Sequence, residues 1–329
     1  MVSPLYQPPP ARYRDTGEQS CLLRRNLFTA VDDRERIRIM LRFFVYDVFT
    51  TTPFTGNPLA IVEGADGLST AQMQTIARQF NLSETIFVQT PDNPAHTAKV
   101  RIFFPTAEIP FAGHPTIGCA LHLAGDTGTS ITLEEQTGLV PVTISRDGGA
   151  ALAEFTAPRL PVPHAAAPAT AHIARALDLD PDRIGPHAPG VYQGGPAFLY
   201  APVSDAAALA AARPIEPAWS DVMEAADVDS AYLYTATPDG YQARMFSPAA
   251  GIPEDPATGS ATAILAAQLL ANGALPEGTT TLHLKQGIEM GRPSDLRLAI
   301  DVEGASIRAI RVAGTATRIA DGHIRIPPA

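Results

Sequence analysis

The sequence predicts an α+β protein made of two similar halves. Two observations carry this. First, one stretch occurs twice, at residues 101–120 and 244–263. Without gaps, Arg101 matches Arg244, Phe103 matches Phe246, Pro105 matches Pro248, and Ile109-Pro110 matches Ile252-Pro253. Each copy reads as a strand, a proline-bounded loop and the start of an apolar helix. Second, short runs rich in β-branched and aromatic residues, bounded by turn signals, surround that one helix in each half. A chain of 329 residues also favours two domains over one.

Residues 1–40 stand apart. They contain Pro8-Pro9-Pro10 and the charged run Asp32-Asp33-Arg34-Glu35-Arg36, and they lack the apolar core of a signal peptide. Disorder or loose structure is expected there. Met40 lies just before the first strong strand. The extension therefore reads either as the product of an upstream start codon or as a functional segment.

Strands are expected at 41–48, 59–62, 85–89 and 98–104. Ser69 is a credible N-cap for a helix through Gln79, with Met73, Ile76, Ala77 and Phe80 on one face. A helix follows over 116–123, then a meander of strands at 130–133, 139–145 and 150–155. Residues 157–170, with four prolines, make the best linker. Beyond it come a helix at 171–177, strands at 191–194 and 197–202, and helical segments at 204–212 and 219–226. Strands at 231–236 and 241–246 lead into the second copy, whose helix spans about 257–271. Strands at 280–285, 295–302, 306–313 and 316–319 close the chain.

The net charge of −10 argues against a nucleic-acid partner, and an anionic ligand must be held by local donors. Cys21 and Cys119, the only two cysteines, support neither a disulfide framework nor a thiolate metal site. A reducing, cytoplasmic location is expected. The most apolar run, 261–275, contains Thr262, Gln268 and Asn272 and reads as a buried helix, not a membrane span. No nucleotide, dinucleotide or zinc motif is present, so no cofactor and no metal is expected.

Gly113-His114-Pro115-Thr116 begins an apolar helix. By itself it is a good helix cap. Its free N–H groups and the helix dipole also suit an anion. Asp255-Pro256-Ala257-Thr258-Gly259-Ser260 begins the matching helix, and two such starts facing each other would hold a carboxylate without Lys or Arg. Asp255 reads equally as an N-cap or a catalytic group. Glu84 sits between Phe80, Leu82, Ile86 and Phe87, neighbours that would raise its pKa if they desolvated it. On the residues alone, a solvated loop glutamate is the stronger reading. Residues 286–294 read either as a tight turn or as a backbone-rich wall of the site. Cys119 reads as core.

Taken together these motifs resemble the phenazine-biosynthesis, PhzF-like isomerase family within the diaminopimelate-epimerase fold superfamily. The matching residues are Asp47-Val48-Phe49, Gly56-Asn57-Pro58-Leu59-Ala60, Ser83-Glu84-Thr85, Phe111-Ala112-Gly113-His114-Pro115-Thr116, residues 244–248, residues 254–261, Gln286-Gly287 and residues 290–294. The resemblance implies two pseudo-symmetric barrel-like domains, each a mixed sheet curled round a central helix. They would span 41–157 and 158–313, with the last strand, about 314–329, returning to the first. It implies a homodimer and a small anionic metabolite as ligand. It carries the catalytic roles to Glu84, His114, Asp255 and Ser260, and substrate binding to Gly113, Thr116, Thr258, Gly259 and Gly291. Related epimerases pair two cysteines at the helix starts, and this chain has none there. A cofactor-independent isomerase is therefore expected. An epimerase with non-thiol acid/base groups and a non-catalytic small-molecule-binding protein are the alternatives.

Overall fold

Eight strands and two helices form the first half of the described molecule. They are β1 (Met40–Val48), β2 (Asn57–Val62), α1 (Thr70–Phe80), β3 (Glu84–Gln89), β4 (Ala98–Phe103), β5 (Glu108–Ile109), α2 (Gly113–Ala124), β6 (Ser130–Glu135), β7 (Gly138–Ser145) and β8 (Leu152–Thr156). A short β9 (Val162–Pro163) and α3 (Thr170–Ala176) follow. The second half contains β10 (Gly190–Gln193), β11 (Ala197–Pro202), α4 (Ala206–Ala211), α5 (Ala218–Ala225), β12 (Ala231–Thr237), β13 (Gly240–Ser247), β14 (Ile252–Asp255), α6 (Gly259–Ala271), β15 (Gly278–Gln286), β16 (Ser294–Glu303) and β17 (Ser306–Gly314). β18 (Ala316–Arg325) closes the chain. This computed structural model describes residues 40–146 and 148–328. The expected N-terminal extension, up to residue 39, lies outside the described residues.

The pairing repeats. β1–β2 is antiparallel, β2–β3 parallel, β3–β4 antiparallel, β4–β6 parallel, and β6–β7 and β7–β8 antiparallel. β10 to β17 follow the same orientations in the same order. β5 and β14 add antiparallel to β4 and β13. β8 and β17 pair antiparallel and join the two series. The ends cross: β9 continues from β8 but pairs with β10, and β18 continues from β17 but pairs with β1.

Each series wraps one helix. α2 touches β2, β3, β6, β7 and β8, and α6 touches β10, β11, β16 and β17. α6 is buried from Ala261 through Leu269, which is why its sequence is apolar on every face. β7 alternates exposed and buried residues, because only one of its faces meets the core. α1 opens on the expected cap. Ser69 Oγ accepts from Gln72 N at 3.2 Å, and Gln72 Oε1 accepts from Ser69 N at 2.9 Å.

Three short strands, β5, β9 and β14, were not expected. Two to four residues carry too little alternation to read, and β9 contains a proline tolerated at a strand edge. β18 runs well past the expected 316–319, to Arg325.

The gapless match of the two copies also needs correction. Ile109 pairs with Ile102, but Met245, the partner of Ile102 in the repeat, pairs with Asp255. A one-turn helix at Pro248–Ala250 lengthens the second connection. Ile109-Pro110 thus corresponds to Asp255-Pro256, not to Ile252-Pro253. The same shift aligns Gly113 with Gly259, His114 with Ser260 and Thr116 with Thr262.

Candidate active site

Asn81, in the left-handed conformation with φ 52°, ends α1 and turns the chain toward β3. Glu84 is the first residue of that strand, paired beside Leu59. It is only 8% exposed. The solvated-loop reading is therefore overturned: β2 and the helix starts cover what the local sequence leaves open.

Asp255 ends β14 and is buried. Its Oδ2 accepts from Thr258 Oγ1 at 2.5 Å, and its Oδ1 accepts from Asn57 Nδ2 at 2.8 Å and Ser83 Oγ at 3.2 Å. Burial raises its pKa to about 6, against the pull of those donors. Glu84 has no such support. Burial, and then the charge of Asp255, pushes its carboxyl well above the usual carboxylate range. Its Oε2 has no hydrogen-bond partner among the described residues.

His114 Nδ1 lies 3.2 Å from that Oε2, but without hydrogen-bond geometry. Burial lowers the imidazole to about 3, only partly offset by the Pro58 carbonyl. The imidazole is therefore neutral near pH 7, and the contact is not an ion pair.

α2 and α6 meet at their first residues. A Cβ on Gly113 would stand 3.0 Å from Gly259 Cα, and one on Gly259 would stand 3.1 Å from Gly113 Cα. Only glycine permits that approach. It brings two helix N-termini, each with unsatisfied N–H groups, to one place.

A cavity of about 410 Å³ opens beside them, lined from both strand series. Glu84, Asp255, Thr258 and Ser260 line it. Gly113, His114, Thr116, Gly259 and Gly291 do not. His114 stands behind Glu84. Thr116 Oγ1 lies 2.7 Å from both the Ala112 carbonyl and Glu135 Oε1. Gly291 is an exposed turn residue with φ 69°.

Residues 286–294 do not line the cavity either, yet they brace it. Gln286 Nε2 donates to the Asp255 carbonyl at 2.8 Å, and its Oε1 accepts from Thr258 N at 3.1 Å. Arg292 binds Asp47 Oδ1 at 2.5 Å and the Thr55 and Gly56 carbonyls at 2.9 and 2.8 Å, which fixes the loop that presents Asn57.

Sequence reasoning gave no role to Asn57, Ser83, Gln286 or Glu135. Asn57 carried a signal, since an amide between Gly56 and Pro58 seldom serves packing alone. Glu135 carried none. Burial raises it to about 8, and its Oε2 is unpartnered within the protein.

Register also aligns sites across the repeat. Thr85 pairs with Phe103 and Ala231 with Phe246, so Glu84 corresponds to Ser230, which also lines the cavity. Cys119 is fully buried and does not line the cavity.

Residues 46–322 match the family model described as phenazine biosynthesis-like protein. An uncharacterized isomerase of Mesorhizobium japonicum is 41% identical, covering 86% of this chain and 98% of its own length. A trans-2,3-dihydro-3-hydroxyanthranilate isomerase of Pseudomonas aeruginosa is 35% identical, covering 86% and 99%. Among solved structures, a PhzF-family phenazine biosynthesis protein of Bacillus anthracis superposes with TM-score 0.77 at 25% identity, covering 87% of this chain and 99% of that one.

Proposed function

The chain belongs to the phenazine biosynthesis-like family and is an isomerase, and from that premise we propose that it moves a proton on a small carboxylated, unsaturated or cyclic metabolite through Glu84, without a cofactor. The observation that carries this reading is Glu84 itself. It is a buried carboxyl lining a cavity, with its proton affinity raised by burial and one oxygen unspent on the described residues; its carboxylate takes the substrate proton and the resulting acid gives it back.

A carboxyl raised in this way lies closer in proton affinity to an activated carbon acid. Removing and returning the proton with one group then becomes less uphill. Ser260 Oγ and the first N–H groups of α6 hold the substrate carboxylate and take up charge that develops in the conjugated system. Asp255 is spent on Thr258, Asn57 and Ser83, so it positions the helix start and keeps Glu84 protonatable.

Two features favour isomerisation over the epimerase alternative. The counterpart of Glu84 across the repeat is Ser230, a hydroxyl that cannot act as a matching carboxyl acid. Among the described residues, no thiol lines the cavity. A proton that leaves and returns through one carboxyl stays on one face of the substrate.

The test is incubation with metabolite mixtures in D₂O, comparing wild type with Glu84→Gln by mass spectrometry. Deuterium should enter a product in the wild type alone. Equal incorporation by both proteins defeats the proposal. We extend the reading to a homodimer acting on a small anionic metabolite. A monomer in sedimentation velocity at micromolar concentration removes the dimer from it.

A further inference from the structure

We propose that Arg159 determines substrate specificity by receiving a second carboxylate, remote from the reacting carbon, so that the preferred substrates are dicarboxylic acids. This rests on the Glu84 reading above and deepens it.

Among the described residues that line the cavity, Arg159 is the only Lys, Arg or His. It lies in the connection from β8 to β9, between Pro158 and Leu160-Pro161, where proline limits the backbone's freedom to swing. Its side chain makes no ion pair or hydrogen bond among the described residues. Asp229, which also lines the cavity, accepts from Ser230 Oγ at 2.7 Å and makes no ion pair with Arg159. An unspent guanidinium facing a cavity, in a chain of net charge −10, is a local reversal of the overall field.

The cavity is graded from end to end. Its buried end carries Glu84 and Asp255, with the half-buried Ser260 beside them. Phe104, Phe111 and Phe198 supply apolar wall, and Arg159 and Asp229 are exposed. A ligand that fills this space has a carboxylate at the α6 start, an unsaturated or cyclic body against the rings, and a second anion at the mouth. A guanidinium binds a carboxylate through two parallel N–H···O bonds, which selects for a planar anion.

The probes are paired acids of equal chain length: glutarate against pentanoate and adipate against hexanoate, by calorimetry on the full chain. The wild type should bind the better-fitting dicarboxylate about tenfold more tightly than its monocarboxylate partner, roughly one charge-assisted contact. Arg159→Gln should erase that preference and leave monocarboxylate affinity unchanged. Arg159→Lys should keep part of it. Equal affinity in the wild type, a preference that survives Arg159→Gln, or no binding of either class overturns the proposal. None of these results touches the Glu84 chemistry, which deuterium exchange reads separately. Arg159 is exposed, so the variant is expected to fold, and a thermal melt checks this.

Discussion

Arg101 and Arg244 hold matching places on β4 and β13, and each closes a two-point ion pair with a glutamate on the short strand that follows. Arg101 reaches Glu108 at 2.6 and 2.7 Å, and Arg244 reaches Glu254 at 2.9 Å through both nitrogens. The surroundings differ. The Arg101 side chain is 23% exposed, whereas that of Arg244 is 8% exposed and also binds the carbonyls of Leu209, Ala210 and Ala212. The same frame is a surface clasp in one half and a buried anchor in the other.

The helix starts diverge in the same way. Ile109 is replaced by Asp255, His114 by Ser260, and the Thr116–Glu135 bond by a contact of Thr262 with Tyr232 at 3.3 Å. The repeat supplies two helix starts, and substitution gives them different side chains: His114 at one and Ser260 at the other.

Substitutions at matched positions break this comparison in order of size. Glu84→Gln should lower deuterium exchange by about 10²–10⁴-fold, the usual contribution of a general acid/base. Ser230→Ala should cost only a few-fold, about one hydrogen bond. Similar losses from both would mean that the two residues share the chemistry. Arg244→Ala should destabilise by about 3–5 kcal/mol in urea unfolding, because it strands a partly buried Glu254 and three carbonyls. If it costs no more than Arg101→Ala, the burial contrast has no energetic content.

Glu135 gives a pH signature that Tyr232 lacks. Its folded pKa, about 8, lies above the unfolded value, so the folded state binds the proton more tightly. The stability this contributes is complete below about pH 4.5 and declines by up to about 1.4 kcal/mol per unit as pH rises toward 8. Glu135→Gln should flatten that slope and be the more stable protein at pH 9. Tyr232→Phe should leave the slope unchanged, since burial raises that phenol above its ordinary value and out of the window. Gly113→Ala or Gly259→Ala should each cost about 1–3 kcal/mol by forcing the helix starts apart. Arg101→Ala should cost least, about 0.2–1 kcal/mol, as exposed pairs do.

Much of this was legible along the chain. The repeated stretch, the capped α1, the all-apolar α6 and the strand runs follow from local φ/ψ preference and face periodicity, which neighbouring residues encode. The family motifs named Glu84, Asp255, Thr258 and Ser260, which line the cavity, and His114, which backs it.

The tertiary structure decided the rest. Whether Glu84 is solvated depended on β2 and on Asp255, far away in sequence. Gapless matching put the wrong residues in correspondence, because strand register, not residue spacing, sets Asp255 opposite Met245. The crossing of β9 and β18 to the opposite series left no local trace. Sequence patterns report what a residue prefers beside its neighbours. Desolvation, register and approach between helices are set by contacts across the chain, and those contacts raise the proton affinity of Glu84.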